Sequence, residues 1–180
     1  MFRFDLQIND MDRHVYAAPS LHVALHPSET EERMLLRVIS YCFEFDEGLA
    51  FTRGLSTDSE PDLWQHSDDG RILHWIELGY PDVRRIKKAL SRSERVSVYS
   101  SGAQGFRQWW KQEGERIVAM TNVSCRYLPK QALAPLLAQL SRNMSLVCMI
   151  EDGVMHLSWD AGMIALAPCP AVEMIAGDNV

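Results

Sequence analysis

The stretch Asp62-Leu63-Trp64-Gln65-His66-Ser67-Asp68-Asp69-Gly70-Arg71-Ile72-Leu73-His74-Trp75-Ile76-Glu77-Leu78 decides the fold, because two apolar runs meet there across an Asp-Gly pair. Asp-Gly is the preferred dipeptide of a two-residue type I′ loop, and a hairpin closed that way fixes its own register. With Asp69-Gly70 at the tip, Asp68 faces Arg71, His66 faces Leu73, Trp64 faces Trp75 and Asp62 faces Glu77, all on one face of the sheet. A four-residue loop would instead set Asp62 opposite Trp75. Glu77 interrupts a run that reads as an interior strand covered on both faces, so its carboxylate needs a partner.

Directly opposed residues have Cβ atoms ~5 Å apart, and two carboxylates there repel unless a cation lies between them. One set of partners is structural: an arginine or lysine bridge, or backbone N–H groups near the strand end. The other is a hard cation such as Mg²⁺, with Mn²⁺ as a substitute, which one or two carboxylates hold while several waters stay bound.

Upstream, Ser28 and Glu31 fit an S-x-x-E capping box, and Met34, Leu35, Val38, Ile39 and Cys42 follow at helical spacing. Continuing that stripe towards the N-terminus puts Glu31 near its centre and Glu32 at its edge, so either acid could face the sheet. Alternatively, Glu31 only closes the box and Glu32 only complements the helix dipole. Downstream, a helix over Asp82 to Ser93 buries Val83, Ile86 and Leu90. That wheel places Lys87 beside the buried face and Lys88 nearly opposite it.

The remaining chain reads as an opening strand pair over residues 2 to 25, a strand near Leu49 to Thr52 followed by a polar loop, and a strand at Val96 to Ser100. A helix is expected near Ala103 to Glu113, a strand near Ile117 to Tyr127, and a helix at Gln131 to Ser141. A second hairpin, Ser145 to Ile150 with Val154 to Trp159, turns at Asp152-Gly153. The Ala-, Pro- and Met-rich tail from Ala161 is expected to be loosely ordered. Without repeats or linkers, residues 1 to 180 read as one α+β domain, a mixed central sheet with flanking helices, an added N-terminal strand pair and a C-terminal hairpin.

At 180 residues the chain can bury a core without a metal or disulfide staple, and its 47% hydrophobic content is ordinary for a globular protein. No apolar run approaches the ~20 residues of a membrane span. Met1-Phe2-Arg3-Phe4-Asp5 lacks the layout of a secretory signal, so a cytoplasmic location is expected. Cys42, Cys125, Cys148 and Cys169 form no C-x-x-C pair and read as reduced packing residues. His22 and His26 are separated from the helix by Pro27, and His66 and His74 lie on opposite faces, so neither pair suits zinc. Phe106, Trp109 and Trp110 have the spacing of core residues. A net charge of −6 argues against a general polyanion binder, whereas Arg84, Arg85, Lys87, Lys88 and Arg92 form a local basic strip.

An Asp on one strand, a Glu on the next, an acid on a preceding helix and a nearby lysine resemble the metal-dependent PD-(D/E)XK nuclease fold, here with Pro61-Asp62 and Glu77. That pattern puts its lysine two residues after the second acid, where this chain has Gly79, so Lys87 or Lys88 would have to substitute. The chain more closely resembles the bacterial YaeQ family. The resemblance lies in His26-Pro27-Ser28-Glu29-Thr30 with Glu32-Arg33-Met34, in Phe51-Thr52-Arg53-Gly54-Leu55, and in Glu60-Pro61-Asp62-Leu63-Trp64. It continues through Trp75-Ile76-Glu77-Leu78-Gly79 with Pro81-Asp82 and Arg84-Arg85-Ile86-Lys87-Lys88-Ala89.

The resemblance implies a variant nuclease-like core over about residues 26 to 127 and favours Glu32 over Glu31. It implies no established activity, and the family's described link to transcription elongation has no counterpart in these residues. Under it, Asp62, Glu77 and Glu32 would hold Mg²⁺, Lys87 would stabilise charge on a phosphate, and Arg84 and Arg85 would bind phosphate. Glu29, Glu31, Glu60 and Lys88 are second choices. The expected activity is hydrolysis of nucleic-acid phosphodiesters, by a monomer or weak dimer. The alternative is a binding or regulatory module that keeps the fold without hydrolysis.

Overall fold

In the computed structural model, residues 1–53 and 59–176 are described. Along the chain run β1 (Phe2–Asp10), β2 (Val15–Ala17), β3 (Ser20–Val23), α1 (Glu31–Glu44), β4 (Leu49–Phe51), β5 (Leu63–His66) and β6 (Ile72–Leu78). Then come α2 (Val83–Leu90), β7 (Ser93–Ser100), α3 (Ala103–Val118), β8 (Val123–Tyr127), α4 (Lys130–Ala138), β9 (Asn143–Glu151) and β10 (Val154–Trp159). β11 (Gly162–Leu166), β12 (Cys169–Pro170) and α5 (Ala171–Ala176) complete the order. Two compact units result: Met1–Phe45 with Lys130–Pro168, and Asp46–Pro129 with the described residues from Cys169. Both mix helices with a mixed sheet, so the fold is α+β.

The first unit holds a six-stranded sheet in which β1 lies parallel to β9 and antiparallel to β2 and β3, while β9, β10 and β11 form a meander. Phe2, Phe4, Leu6 and Ile8 alternate with more exposed residues, as expected of a half-solvated sheet. The N-terminal strands and the C-terminal hairpin are therefore partners in one sheet, not additions to a central one. The tail expected to be loose supplies β11, whose Ile164 and Leu166 are buried. Asp152 and Gly153 both have positive φ, the backbone of the anticipated I′ turn, and the Asp12 carboxylate accepts both of their N–H groups at 2.8 Å.

Helix α1 buries the expected stripe, and Cys42 meets Cys148 of β9 with 3.5 Å between sulfurs. Both of these thiols are buried, whereas Cys125 and Cys169 are only partly so. The helix begins later than the capping box implied. Thr30 is the N-cap, its hydroxyl accepting the Arg33 N–H, because the Ser28 hydroxyl is taken by the His26 ring at 2.8 Å. Glu29 is buried, and Arg37 grips it through Nε at 2.8 Å and Nη2 at 2.7 Å, with Arg33 at 3.2 Å. Glu31 is the first helical residue and is exposed.

The second unit holds the order β12-β8-β7-β6-β5-β4, with β6, β7 and β8 parallel and β4, β5 and β12 antiparallel to their neighbours. Trp75, Val83, Ile86, Phe106, Trp109, Trp110 and Ile117 build one core cluster on this sheet. Helix α3 runs to Val118, past the expected end at Glu113, because Ile117 continues the buried stripe of Phe106 and Trp110. The polar loop after β4 falls mostly on residues 54–58, including Gly54-Leu55, which lie outside the described residues.

Removing one partner of a buried ion pair strands the other charge, at a cost of about 3–5 kcal/mol. The Glu29 and Arg37 side chains are 1% and 6% exposed. Glu29→Ala is therefore expected to destabilise the protein by about that amount in urea unfolding, far more than Glu31→Ala.

Candidate functional site

The hairpin reaches the expected register by an unexpected route. Gly70 alone of the Asp-Gly pair has positive φ, and Gly70 N–H bonds Ser67 C=O while Ser67 N–H bonds Arg71 C=O. The loop is thus the three residues Asp68-Asp69-Gly70, a type I turn closed by a left-handed glycine. Local chemistry favours it, since the Ser67 hydroxyl bonds Asp69 and accepts the Arg71 N–H, and Asp69 pairs with Arg71 at 2.9 Å. That loop shifts the pairing by one residue, so His66 meets Ile72 instead of Leu73. A bulge between Gln65 and His66 shifts it back, and Trp64 faces Trp75 as expected.

The paired register ends with Leu63 opposite Ile76, and Asp62, just before β5, lies near enough to Glu77 for its charge to act on that carboxyl. The Asp62 N–H donates to Ile76 C=O, and Asp62 Oδ2 accepts the Leu78 N–H at 2.8 Å. The side chain thereby extends the ladder one step beyond the end of β5. Glu77 sits on a strand buried on both faces and is itself 4% exposed. Its Oε1 accepts from Trp75 Nε1 at 2.7 Å and from Arg85 Nε at 2.9 Å. Arg85 also donates from Nη2 to the Glu60 carbonyl at 3.1 Å. Both structural kinds of partner are therefore present, a strand-end N–H on Asp62 and an arginine on Glu77.

Burial raises the Glu77 carboxyl above the ordinary glutamate range. Hydrogen bonds from Trp75 and Arg85 and the Arg85 charge oppose the rise, and the negative charge of Asp62 reinforces it. Burial prevails although the arginine is in contact, which shows how far this carboxylate is removed from water.

Helix α2 brings Arg85 within reach of Glu77. Its buried residues are Val83, Ile86 and Ala89, with Leu90 only half-buried. Weighting Ala89 over Leu90 rotates the buried stripe towards Arg85, so Arg85 and Lys87 flank it about equally, whereas a wheel built on Leu90 favours Lys87. The N-cap Asp82 holds the first turn by accepting the Arg85 N–H at 2.8 Å. Lys87 and Lys88 are both exposed. Lys88, with Tyr80, Pro81, Asp82, Arg84 and Arg85, lines a cavity of about 570 Å³. Tyr80 carried no motif, and only its place before Pro81 at the strand-to-helix turn marked it.

Gly79 stands where the nuclease pattern has its lysine, and its φ of +105° is one that side-chain-bearing residues rarely adopt. Its N–H bonds Tyr99 C=O, and its carbonyl accepts the Ser100 hydroxyl at 2.7 Å. Glu32 belongs to the first unit, where Lys130 pairs with it at 3.3 Å. Among the described residues, no three His, Cys, Asp or Glu side chains gather as a metal-ligand group. No described helix is long and apolar enough to cross a membrane.

These features define an α+β protein of two mixed sheets with a carboxylate pair beside an arginine-bearing helix. The chain belongs to the YaeQ family, whose sequence profile matches residues 1–168. It is 41% identical over 160 residues to YaeQ of Escherichia coli (strain K12), covering 89% of this chain and 88% of that protein. The crystal structure of YaeQ from Xanthomonas axonopodis pv. citri is similar with a TM-score of 0.89 at 40% identity, covering 94% of this chain and 96% of that one. YaeQ from Pseudomonas syringae gives 0.88 at 37% identity, with 94% and 93% covered.

Two outcomes follow from this geometry. Gly79→Lys forces a lysine into a left-handed backbone and is expected to cost about 1–3 kcal/mol, seen as a melting point lower by several degrees. Because folding raises the Glu77 pKa, the folded state binds more protons than the unfolded one above the ordinary glutamate value. The Glu77 contribution to stability is therefore full below that value and is lost as pH rises through the raised one. In urea titrations across that window, wild type should gain on Glu77→Gln as pH falls, and a constant difference would contradict the assignment.

Proposed function

We propose that this chain is a non-catalytic module that binds the phosphate backbone of nucleic acid on a nuclease-like scaffold. The observation that carries the reading is the Arg85 guanidinium on Glu77. The acid that would anchor a metal is neutralised by the protein's own cation, and the same arginine stands at the wall of a cavity shared with Arg84 and Lys88. With Arg85 balanced by Glu77, Arg84 and Lys88 against the single carboxylate of Asp82 give this cavity a local positive charge on an otherwise acidic protein. The order of helix, strand, Asp62, Glu77 and basic helix supports kinship with the PD-(D/E)XK fold.

Asp62 Oδ2 accepts Leu78 N–H and Glu77 Oε1 accepts from Trp75 and Arg85, which supports a structural role for both acids over metal binding. The nearness of Asp62, whose charge adds to the rise at Glu77, favours a second reading, a Mg²⁺- or Mn²⁺-dependent phosphodiesterase. It requires Arg85 to withdraw so that both carboxylates open to an ion.

Fluorescence anisotropy with labelled oligonucleotides over a salt series separates the two. Binding without added metal is expected, with a log–log salt slope that falls by about 0.7–0.9 for each of Arg84→Ala and Lys88→Ala. Binding that ignores both variants would sink the module. Cleavage that needs Mg²⁺ or Mn²⁺ and disappears in Glu77→Ala would establish the enzyme instead.

A further inference from the structure

The cavity on α2 has one wall that phosphate recognition leaves unused. Tyr80 is 41% exposed, among the more accessible large side chains of the described residues. Its ring is nevertheless held firmly. The phenol donates to the carbonyls of Ser101 and, at 3.0 Å, Gly102, so the outer end is tied to the loop before α3. Trp109 packs against the ring with centroids 5.9 Å apart, and Trp109 is itself anchored by donation from Nε1 to Pro81 C=O at 2.7 Å. Gly105 lets the ring lie directly on α3, because a Cβ there would come within 2.8 Å of Tyr80 Cε2 and Oη. An aromatic face tied at its hydroxyl and backed by a second aromatic loses little freedom when something stacks on it.

We propose that this cavity binds single-stranded nucleic acid, one base stacking on Tyr80 while Arg84 and Lys88 take the adjoining phosphates. This deepens the phosphate-binding reading and rests on it. Stacking selects single strands because a duplex keeps its base faces covered, whereas every unpaired base offers a π-face to an aromatic platform. Arg84 and Lys88 lie four residues apart on α2 and line the same cavity, so backbone and base are met together. Arg85 is already committed to Glu77 and Glu60 and serves as part of the wall.

The test compares three ligands for the full chain by anisotropy: labelled oligothymidylate, its duplex with oligoadenylate, and a chain of equal length with abasic sugars. Oligothymidylate should bind about tenfold more tightly than the abasic chain, and more tightly than the duplex at equal salt. Tyr80→Ala should remove about tenfold from oligothymidylate binding and leave abasic binding unchanged, whereas Tyr80→Phe, which keeps the ring, should retain the preference for bases. Because the abasic comparison uses wild type, the result stands even if Tyr80→Ala fails to fold. Equal binding of abasic chain and oligothymidylate overturns the stacking platform while the phosphate reading stands. If none of the three ligands binds, both fall.

Discussion

A carboxylate on a strand covered on both faces has lost its hydration, and the surrounding structure must replace it or keep the group neutral. Glu77 is in that position, and Arg85 and Trp75 provide the replacement. The arrangement constrains more than one side chain. It fixes the rotation of α2 about its axis, places Asp82 as the cap, and leaves Arg84 and Lys88 along the cavity. Asp62 completes it by accepting Leu78 N–H where β5 has ended, so each acid has a partner within the protein. Breaking one partner of such a pair costs more than the pair itself contributes, because the remaining charge stays buried.

Much of this was legible in the chain. Alternation identified the strands, helical spacing identified α1 and α2, and the opposition of Trp64 to Trp75 followed from the Asp-Gly signal. The route to that register was not legible, because Ser67 and Arg71 reshape one Asp-Gly turn while Asp152-Gly153 keeps the ideal form. Two one-residue shifts, one in the loop and one in the bulge, cancel, and no local rule foresees a cancellation. The partner of Glu77 was missed for a similar reason. On a wheel, Arg85 and Lys87 sit on opposite flanks of Ile86, and with Ala89 buried and Leu90 half-buried the helical spacing does not choose between them.

The first sheet shows the complementary limit. Periodicity gave β1, β9 and β10 as strands, but nothing in it says that β1 pairs in parallel with a strand from the far end of the chain. Long-range pairing is set by the packing of buried faces, here Phe4, Leu6 and Ile8 beside Met144, Leu146 and Cys148. Likewise, the Glu29–Arg37 pair lay hidden because Arg37 falls off the apolar stripe of α1 and reads as solvent-facing until its acid is found. Family membership covers both units, and the chemistry proposed for the cavity is drawn from the second alone.

The central claim is that Glu77 answers to Arg85 and not to a metal. A double-mutant cycle with Glu77→Gln and Arg85→Gln, read as unfolding free energy in metal-free buffer, measures that contact directly. A coupling of about 1–3 kcal/mol is expected for a mostly buried charge pair in one network. Additivity within about 0.5 kcal/mol, the behaviour of independent sites, would contradict the account.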